Sequence, residues 1–152
     1  MGIFKLIYSW FYGIYSMYLF DYLKGMDCNG NDVGPDHFVK IGFAMLVASL
    51  LVAVFYYYII DHPRFNRWWS WLIMMFISVA ANFTYGFSYV YNRLNGGQIP
   101  NCFVTTESGE QLLTNSNCFS FGLTNAFIGA IVFIIFSLLI KWWSTNSKNS
   151  PF

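Results

Sequence analysis

The stretch IGFAMLVASLLVAVFYYYII, residues 41–60, contains no charged side chain and decides the fold class of this chain. As a helix it matches the hydrocarbon core of a bilayer, which is about 30 Å thick and needs roughly 20 apolar residues. Residues 68–92 and 118–140 are also free of charge. The sequence therefore predicts membrane-spanning helices over residues 41–60, 68–92 and 118–141.

The beginning of the chain predicts a fourth, weaker span over residues 3–23. Lys5 lies near its start, and four tyrosines between positions 8 and 18 dilute its hydrophobicity. A signal peptide is disfavoured because FDYLK, residues 20–24, follows in place of a small-residue cleavage site. An interfacial helix is disfavoured because the segment lacks the Lys and Arg of such helices. We therefore predict an all-α integral membrane protein, a four-transmembrane-helix bundle with two short outer loops.

This bundle is predicted to form one domain, residues 1–143, followed by a mobile cytoplasmic tail, residues 144–152. The composition agrees, since 57% hydrophobic and 10% charged residues depart from the averages of soluble domains. A net charge of +1 gives no indication of nucleic acid binding. The lipid bilayer is the partner that composition predicts.

Orientation is predicted from Lys and Arg near the helix ends, because cytoplasmic loops carry an excess of both. Four spans place five basic residues on one side and three on the other. The five are Lys5, Arg64, Arg67, Lys141 and Lys148, and the three are Lys24, Lys40 and Arg93. The count favours a multi-pass cell-membrane protein with both termini in the cytoplasm, and a bacterial inner membrane is preferred to a eukaryotic membrane.

All three cysteines lie in or at the edge of the predicted outer loops, where disulfides persist. Cys28 lies in the first loop, while Cys102 and Cys118 bracket the second. Residues 103–106 and 110–114 flank a Ser-Gly pair, which predicts a small hairpin closed by a Cys102–Cys118 disulfide. Cys28 is then left over, as a free thiol or as a cross-link between two copies, and its acidic neighbours predict a poor nucleophile.

Four helices and cysteines in both outer loops resemble the DsbB family of quinone-coupled membrane enzymes. That chemistry requires a Cys-x-x-Cys pair in the first loop to pass electrons towards quinone, and this chain has Cys28 alone. His37 and His62 lack the Cys/His spacing of a zinc site, and no phosphate loop or nucleophile elbow occurs. We therefore expect no catalytic residue, metal or cofactor.

Polar residues of the third predicted helix recur at spacings of four, three, four and three, which places them on one polar face. They are Ser78, Asn82, Tyr85, Tyr89 and Asn92. Asn125 of the fourth helix is expected to meet Asn82. The main interpretation is hydrogen bonding between helices, and the alternatives are the lining of an outward-opening cavity or a docking surface for another membrane protein.

Small residues predict where helix backbones approach closely. In the fourth helix Gly122, Ala126 and Ala130 recur every four residues, with Gly129 alongside. Gly13 has the same expected role in the first helix.

The predicted spans contain no charge at mid-membrane, which disfavours ion-coupled transport. The expected function is non-catalytic binding of a protein partner in or at the membrane. In layout the chain resembles the small polytopic immunity proteins that neutralise pore-forming bacterial toxins. The alternatives are a homo-oligomeric pore or membrane-disrupting effector lined by the polar face, and an accessory subunit of a membrane complex.

Overall fold

A computed structural model of the chain describes residues 2–59, 68–106 and 108–143. Its helices are α1 (Ile3–Ser9), α2 (Tyr12–Tyr15), α3 (Met17–Lys24), α4 (His37–Val54), α5 (Trp68–Asn95), α6 (Asn101–Val104) and α7 (Asn115–Trp143). A π-helical turn, Phe55–Ile59, extends α4. Within these described ranges the protein is all-helical and has no β-strand, which confirms the predicted secondary-structure class.

Three of these helices are long and apolar enough to cross a membrane: His37–Tyr58, Trp68–Asn95 and Asn115–Trp142. Each also presents large apolar side chains outwards, as Phe43, Phe76 and Leu138 illustrate. Soluble proteins rarely expose apolar surface on this scale. The helices therefore have the composition, length and surface of membrane spans.

The predicted continuous helix over residues 3–23 is wrong, because the structure divides this segment into α1, α2 and α3. The break before α3 lies at Ser16, whose φ of 105° is outside any helical conformation. Tyr8 and Tyr15 are buried and both pack against Phe121, with ring centroids 5.7 and 5.2 Å from it. The bent segment thus buries both of these rings among aromatic partners, while Tyr12 and Tyr18 stay exposed.

Both ends of this segment contact the same end of α4. The Lys5 ammonium lies 3.3 Å from the Asp36 carboxylate, and the Phe20 ring centroid lies 5.3 Å from that of Phe38. A straight helix would separate residues 5 and 20 by about 22 Å. The segment therefore folds back on itself, and the fourth predicted crossing is not among the membrane-length helices of the described chain.

The contacts of the chain group into two compact units. Unit 1 comprises Met1–Phe43 and Thr84–Thr124, and unit 2 comprises Ala44–Phe83 and Asn125–Phe152. The core of unit 2 is a cluster of Ala53, Tyr56, Tyr57, Met74 and Phe133. The single domain expected over residues 1–143 stays a prediction, while the tail 144–152 and the predicted turn 61–67 lie outside the described residues.

Helix ends in unit 1 follow local chemistry. The Asp36 carboxylate accepts a hydrogen bond from the backbone N–H of Phe38 at 3.1 Å, which caps the start of α4. Gly25 follows α3 in a left-handed conformation, with a φ of 93°. An added Cβ there would meet the Gly34 carbonyl oxygen at 2.6 Å, so the close approach of these two backbones requires glycine.

Candidate functional site

A hydrogen-bond network lies buried in unit 2. The Asn82 side-chain amide, 1% exposed, donates to the Ser49 hydroxyl at 3.1 Å and to the Ser78 carbonyl oxygen at 2.9 Å. The Ser49 hydroxyl donates to the Gly129 carbonyl oxygen at 3.4 Å, and the Asn125 amide donates to the Asn82 carbonyl oxygen at 2.7 Å. These bonds link α4, α5 and α7, so polar groups that lipid could not satisfy bond to one another.

The residues of the predicted polar face therefore separate into two groups. Ser78, Asn82 and Asn125 are brought together in the buried network. Tyr85 and Asn92 are exposed and Tyr89 is half-buried in unit 1. Ser49 was missed by the sequence analysis, because an isolated serine in an apolar run has no spacing pattern to mark it.

The small residues of α7 lie at buried or half-buried positions. Gly122 and Ala126 are buried, Ala130 is half-buried, and an added Cβ at Gly129 would meet the Asn82 amide nitrogen at 2.5 Å. Gly13 differs, because it is exposed in α2 and an added Cβ would meet no atom of the described chain within 4 Å. The close-packing role predicted for Gly13 is therefore wrong, as the segment does not form a straight spanning helix.

A second polar contact in unit 2 centres on Ser137 of α7. The buried Ser137 hydroxyl lies 2.7 Å from the Tyr57 hydroxyl and accepts a hydrogen bond from the Trp71 indole at 2.8 Å. The three residues come from the π turn, α5 and α7. This contact satisfies the polar atoms of two aromatic rings inside the unit.

The disulfide of the protein joins Cys28 to Cys102, with the Cα atoms 6.0 Å apart. Cys118 is a free, buried cysteine, so the predicted Cys102–Cys118 pairing is wrong. The reason is that α7 begins at Asn115, before Cys118, and carries this thiol into the core of unit 1. The bond instead connects the first outer loop to the second.

Each loop also contains contacts between its own residues. In the first, Met26 and Asp32 form an isolated antiparallel bridge, and the Lys24 ammonium lies 3.3 Å from the Asp32 carboxylate. In the second, Thr105 and Gln111 form a similar bridge. The predicted hairpin is thus only partly present, since α6 occupies half of its first strand and the disulfide does not close it.

Asp21 lies in α3, just before the first loop. Burial raises the pKa of its carboxyl, Lys24 opposes this effect and Asp32 adds to it. The Lys24–Asp32 ion pair itself brings the end of α3 against the first loop.

A cleft of about 450 Å³ lies in unit 1 between the first loop and the ends of two long helices. We call it the loop cleft, and its polar lining is Tyr22, Asp27, His37, Lys40, Arg93 and Gln98. Lys40 lies in the first turn of α4 and Arg93 in the last turn of α5. Residues far apart in sequence therefore converge here.

Two tyrosine side chains contact the arginine and the histidine that line the loop cleft. The Arg93 guanidinium donates to the Tyr22 hydroxyl at 3.0 Å, and its central carbon lies 4.9 Å from the centroid of the Tyr89 ring. The His37 ring nitrogen Nδ1 lies 3.0 Å from the Tyr89 hydroxyl. Tyr89, predicted on the polar face, therefore positions both a histidine and an arginine.

Neither cation of the loop cleft forms an ion pair within the described residues. In the part of the chain that the structure describes, the two ion pairs are Lys5 with Asp36 and Lys24 with Asp32. Lys40 and Arg93 thus have no carboxylate partner there, and Asp27 is the one acidic residue lining the cleft. The cleft carries an excess of positive charge.

No group of three or more His, Cys, Asp or Glu residues with metal-binding geometry occurs among the described residues. No protein-family model, curated protein or solved structure matches this chain.

Proposed function

We propose that this chain is a multi-pass membrane protein that binds a protein partner, without catalysis, through its two joined loops. The recognition surface is the loop face, which we define as residues 25–36, 96–106 and 108–114. The observation that carries the proposal is the Cys28–Cys102 disulfide, which links the two loops covalently. Loops constrained before binding lose less conformational entropy on association, so such loops suit recognition.

The loop face also presents side chains suited to a protein contact. Val33 projects from the first loop with 77% of its surface exposed, although it is a large apolar residue. Lys40 and Arg93 supply charge nearby in the loop cleft. An apolar anchor beside charged groups is a common arrangement in protein interfaces.

The membrane topology that we propose has three crossings, through α4 with its π turn, α5 and α7. The N-terminal segment then lies on the same side as the loop face, and Lys5 moves to that side. The basic residues divide four against four, so their count no longer decides the orientation. The disulfide favours an oxidising compartment for the loop face, so the C-terminus is cytoplasmic and the N-terminus is not.

The biological role that fits these features is that of an immunity protein in a bacterial inner membrane. A toxin arriving from outside the cytoplasm would meet the loop face first. Support for the pore alternative is weaker, because Ser78, Asn82 and Asn125 are buried and bonded within unit 2.

Photo-cross-linking in living cells tests the proposal. A photoreactive amino acid at Val33 should trap a discrete protein, whereas the same group at Trp142, which is 87% exposed near the end of α7, should not. Cys28→Ser should weaken the cross-link at Val33, since it releases the loops. The trapped protein should kill cells that lack this chain and spare cells that express it.

Two results would count against the proposal. Absence of any Val33-specific cross-link would remove the loop face as a recognition surface. A trapped protein that is harmless without this chain would favour the accessory-subunit alternative over immunity.

A further inference from the structure

We propose that the loop cleft binds a phosphate group, supplied by the headgroup of an anionic phospholipid or by a soluble phosphate. The phosphate would use Lys40 and Arg93, which also lie beside the proposed protein interface, and its binding is measured without any protein partner. It follows from the pairing of the basic residues in unit 1, from the geometry around Arg93 and from the position of the cleft at the ends of membrane-length helices.

The four basic residues of unit 1 divide by location. Lys5 and Lys24 lie outside the cleft, and each is 3.3 Å from an aspartate oxygen. Lys40 and Arg93 line the cleft, and in the described chain neither forms an ion pair. With Asp27 as the one acidic residue of the lining, the cleft retains about one positive charge, which an anion would neutralise.

Arg93 is held in place by neutral groups. One guanidinium N–H donates to the Tyr22 hydroxyl at 3.0 Å, and the Tyr89 ring lies against the cation. Arginine has five N–H donors in a planar fork, so donors remain after this bond. The two tyrosines therefore orient the cation and leave it able to bind a phosphate through two parallel hydrogen bonds.

The rest of the lining suits the same ligand. Lys40 supplies a second cation, while Tyr22, His37 and Gln98 supply neutral hydrogen-bonding groups. The Asp27 carboxylate already accepts a hydrogen bond from the Cys28 backbone N–H at 2.8 Å, which uses part of its hydrogen-bonding capacity. A volume of about 450 Å³ lies within the range of small-molecule sites.

The position of the cleft makes lipid a natural source of the phosphate. Lys40 and Arg93 lie in the terminal turns of α4 and α5, both of membrane-spanning length. Basic side chains at such positions lie at headgroup level, and basic pockets between membrane helices bind anionic headgroups.

The test uses the full-length protein with its disulfide intact. In one arm, native mass spectrometry measures retention of phosphatidylglycerol against phosphatidylcholine. In the other, titration of the protein in phosphatidylcholine nanodiscs measures binding of inorganic phosphate and glycerol phosphate. Binding in the lipid arm alone identifies a headgroup source, binding in the soluble arm alone identifies a free phosphate, and either result supports the proposal.

Charge variants locate the site. Arg93→Gln should weaken binding about tenfold or more, because it removes charge-assisted hydrogen bonds. Lys40→Gln should weaken it by up to about fivefold, since Lys40 is exposed, and it has no described partner whose loss would disturb the fold. Arg93→Lys should fall between the wild type and Arg93→Gln, because it keeps the charge and loses the fork.

Lys24→Gln is the matched control, because it removes the same charge from unit 1 at a residue outside the cleft. It should leave phosphate binding unchanged. Each variant is accepted only if its disulfide and thermal stability match those of the wild type. The proposal is overturned if the wild type binds neither probe, or if Lys24→Gln weakens binding as much as Lys40→Gln.

Discussion

The Lys5 ammonium lies 3.3 Å from the Asp36 carboxylate, so the first turn of α1 meets the residue that caps α4. In a straight helix crossing the membrane, Lys5 would lie on the opposite side from the loop that contains Asp36. This single ion pair therefore separates a topology of three crossings from one of four.

We predict that the N-terminus lies on the same side of the membrane as the loop face. A membrane-impermeant maleimide applied to intact cells should label Gly2→Cys and Val33→Cys to similar extents. Trp142→Cys should react only after the membrane is permeabilised. The native cysteines serve as a background, because two are in the disulfide and Cys118 is buried.

One result of the same labelling experiment would support a topology with four crossings. If Gly2→Cys is protected in intact cells and becomes reactive together with Trp142→Cys, then the N-terminal segment crosses the membrane and its folded-back form is incorrect.

The cysteine pairing leads to a prediction about stability. Cys28→Ser and Cys102→Ser should destabilise the protein to the same extent, because each breaks the disulfide that joins the loops. The chain-entropy model gives an upper value of about 4–5 kcal/mol for a closed loop of this length.

Cys118→Ala should leave the disulfide intact. Non-reducing gels and counting of alkylated thiols in denaturant measure these outcomes, and a Cys102–Cys118 bond in Cys28→Ser would show that the pairing can exchange.

The long helices were predictable from sequence because a bilayer sets a strict length for uncharged segments. The start of the chain was not, since its length and apolar content satisfied the same criterion. What bends it is tertiary: Tyr8 and Tyr15 pack against Phe121, more than a hundred positions away. Ser16, at the break, is not a glycine and so gave no local signal.

The residues of the candidate site also differ in whether the sequence could predict their contacts. A spacing of four placed Ser78 and Asn82 on one side of α5, because neighbours within a helix are a local property. No local property connects Tyr22, Lys40 and Arg93, which converge only when three helices pack. The disulfide also required knowledge of where α7 begins, which helix-boundary signals fix poorly.

Close packing at Gly129 predicts a large difference between two glycine substitutions. Gly129→Ala would place a methyl group 2.5 Å from the Asn82 amide nitrogen, so we expect a loss of about 1–3 kcal/mol in the free energy of unfolding. Gly13→Ala meets no described atom within 4 Å and should be neutral or stabilising by up to about 1 kcal/mol. Unfolding in mixed detergent micelles measures both, and equal effects would contradict the packing at Gly129.

Asn82 and Ser49 should be energetically coupled through their hydrogen bond. We expect Asn82→Ala to cost about 1 kcal/mol, and the double variant with Ser49→Ala to cost less than the sum of the single changes by roughly 0.5–1.5 kcal/mol. Asn95→Ala is the control, because that amide is exposed and bonds only along α5 and towards the start of α7. Additive single effects would mean that the two side chains do not interact.

Ser16 supplies a test of the bend itself. Its φ of 105° and ψ of 136° lie in a region that glycine occupies readily and other residues occupy at a cost of about 1–3 kcal/mol. Its side chain forms no capping hydrogen bond to α3, so Ser16→Ala should change stability little.

Ser16→Gly should raise the free energy of unfolding above that of Ser16→Ala by about 1 kcal/mol, because relief of strain exceeds the entropy that glycine adds to the unfolded chain. If the segment were a straight helix, the order would reverse, since glycine is the poorer helix former. The sign of this one difference, measured in detergent micelles, distinguishes the folded-back segment from the spanning helix.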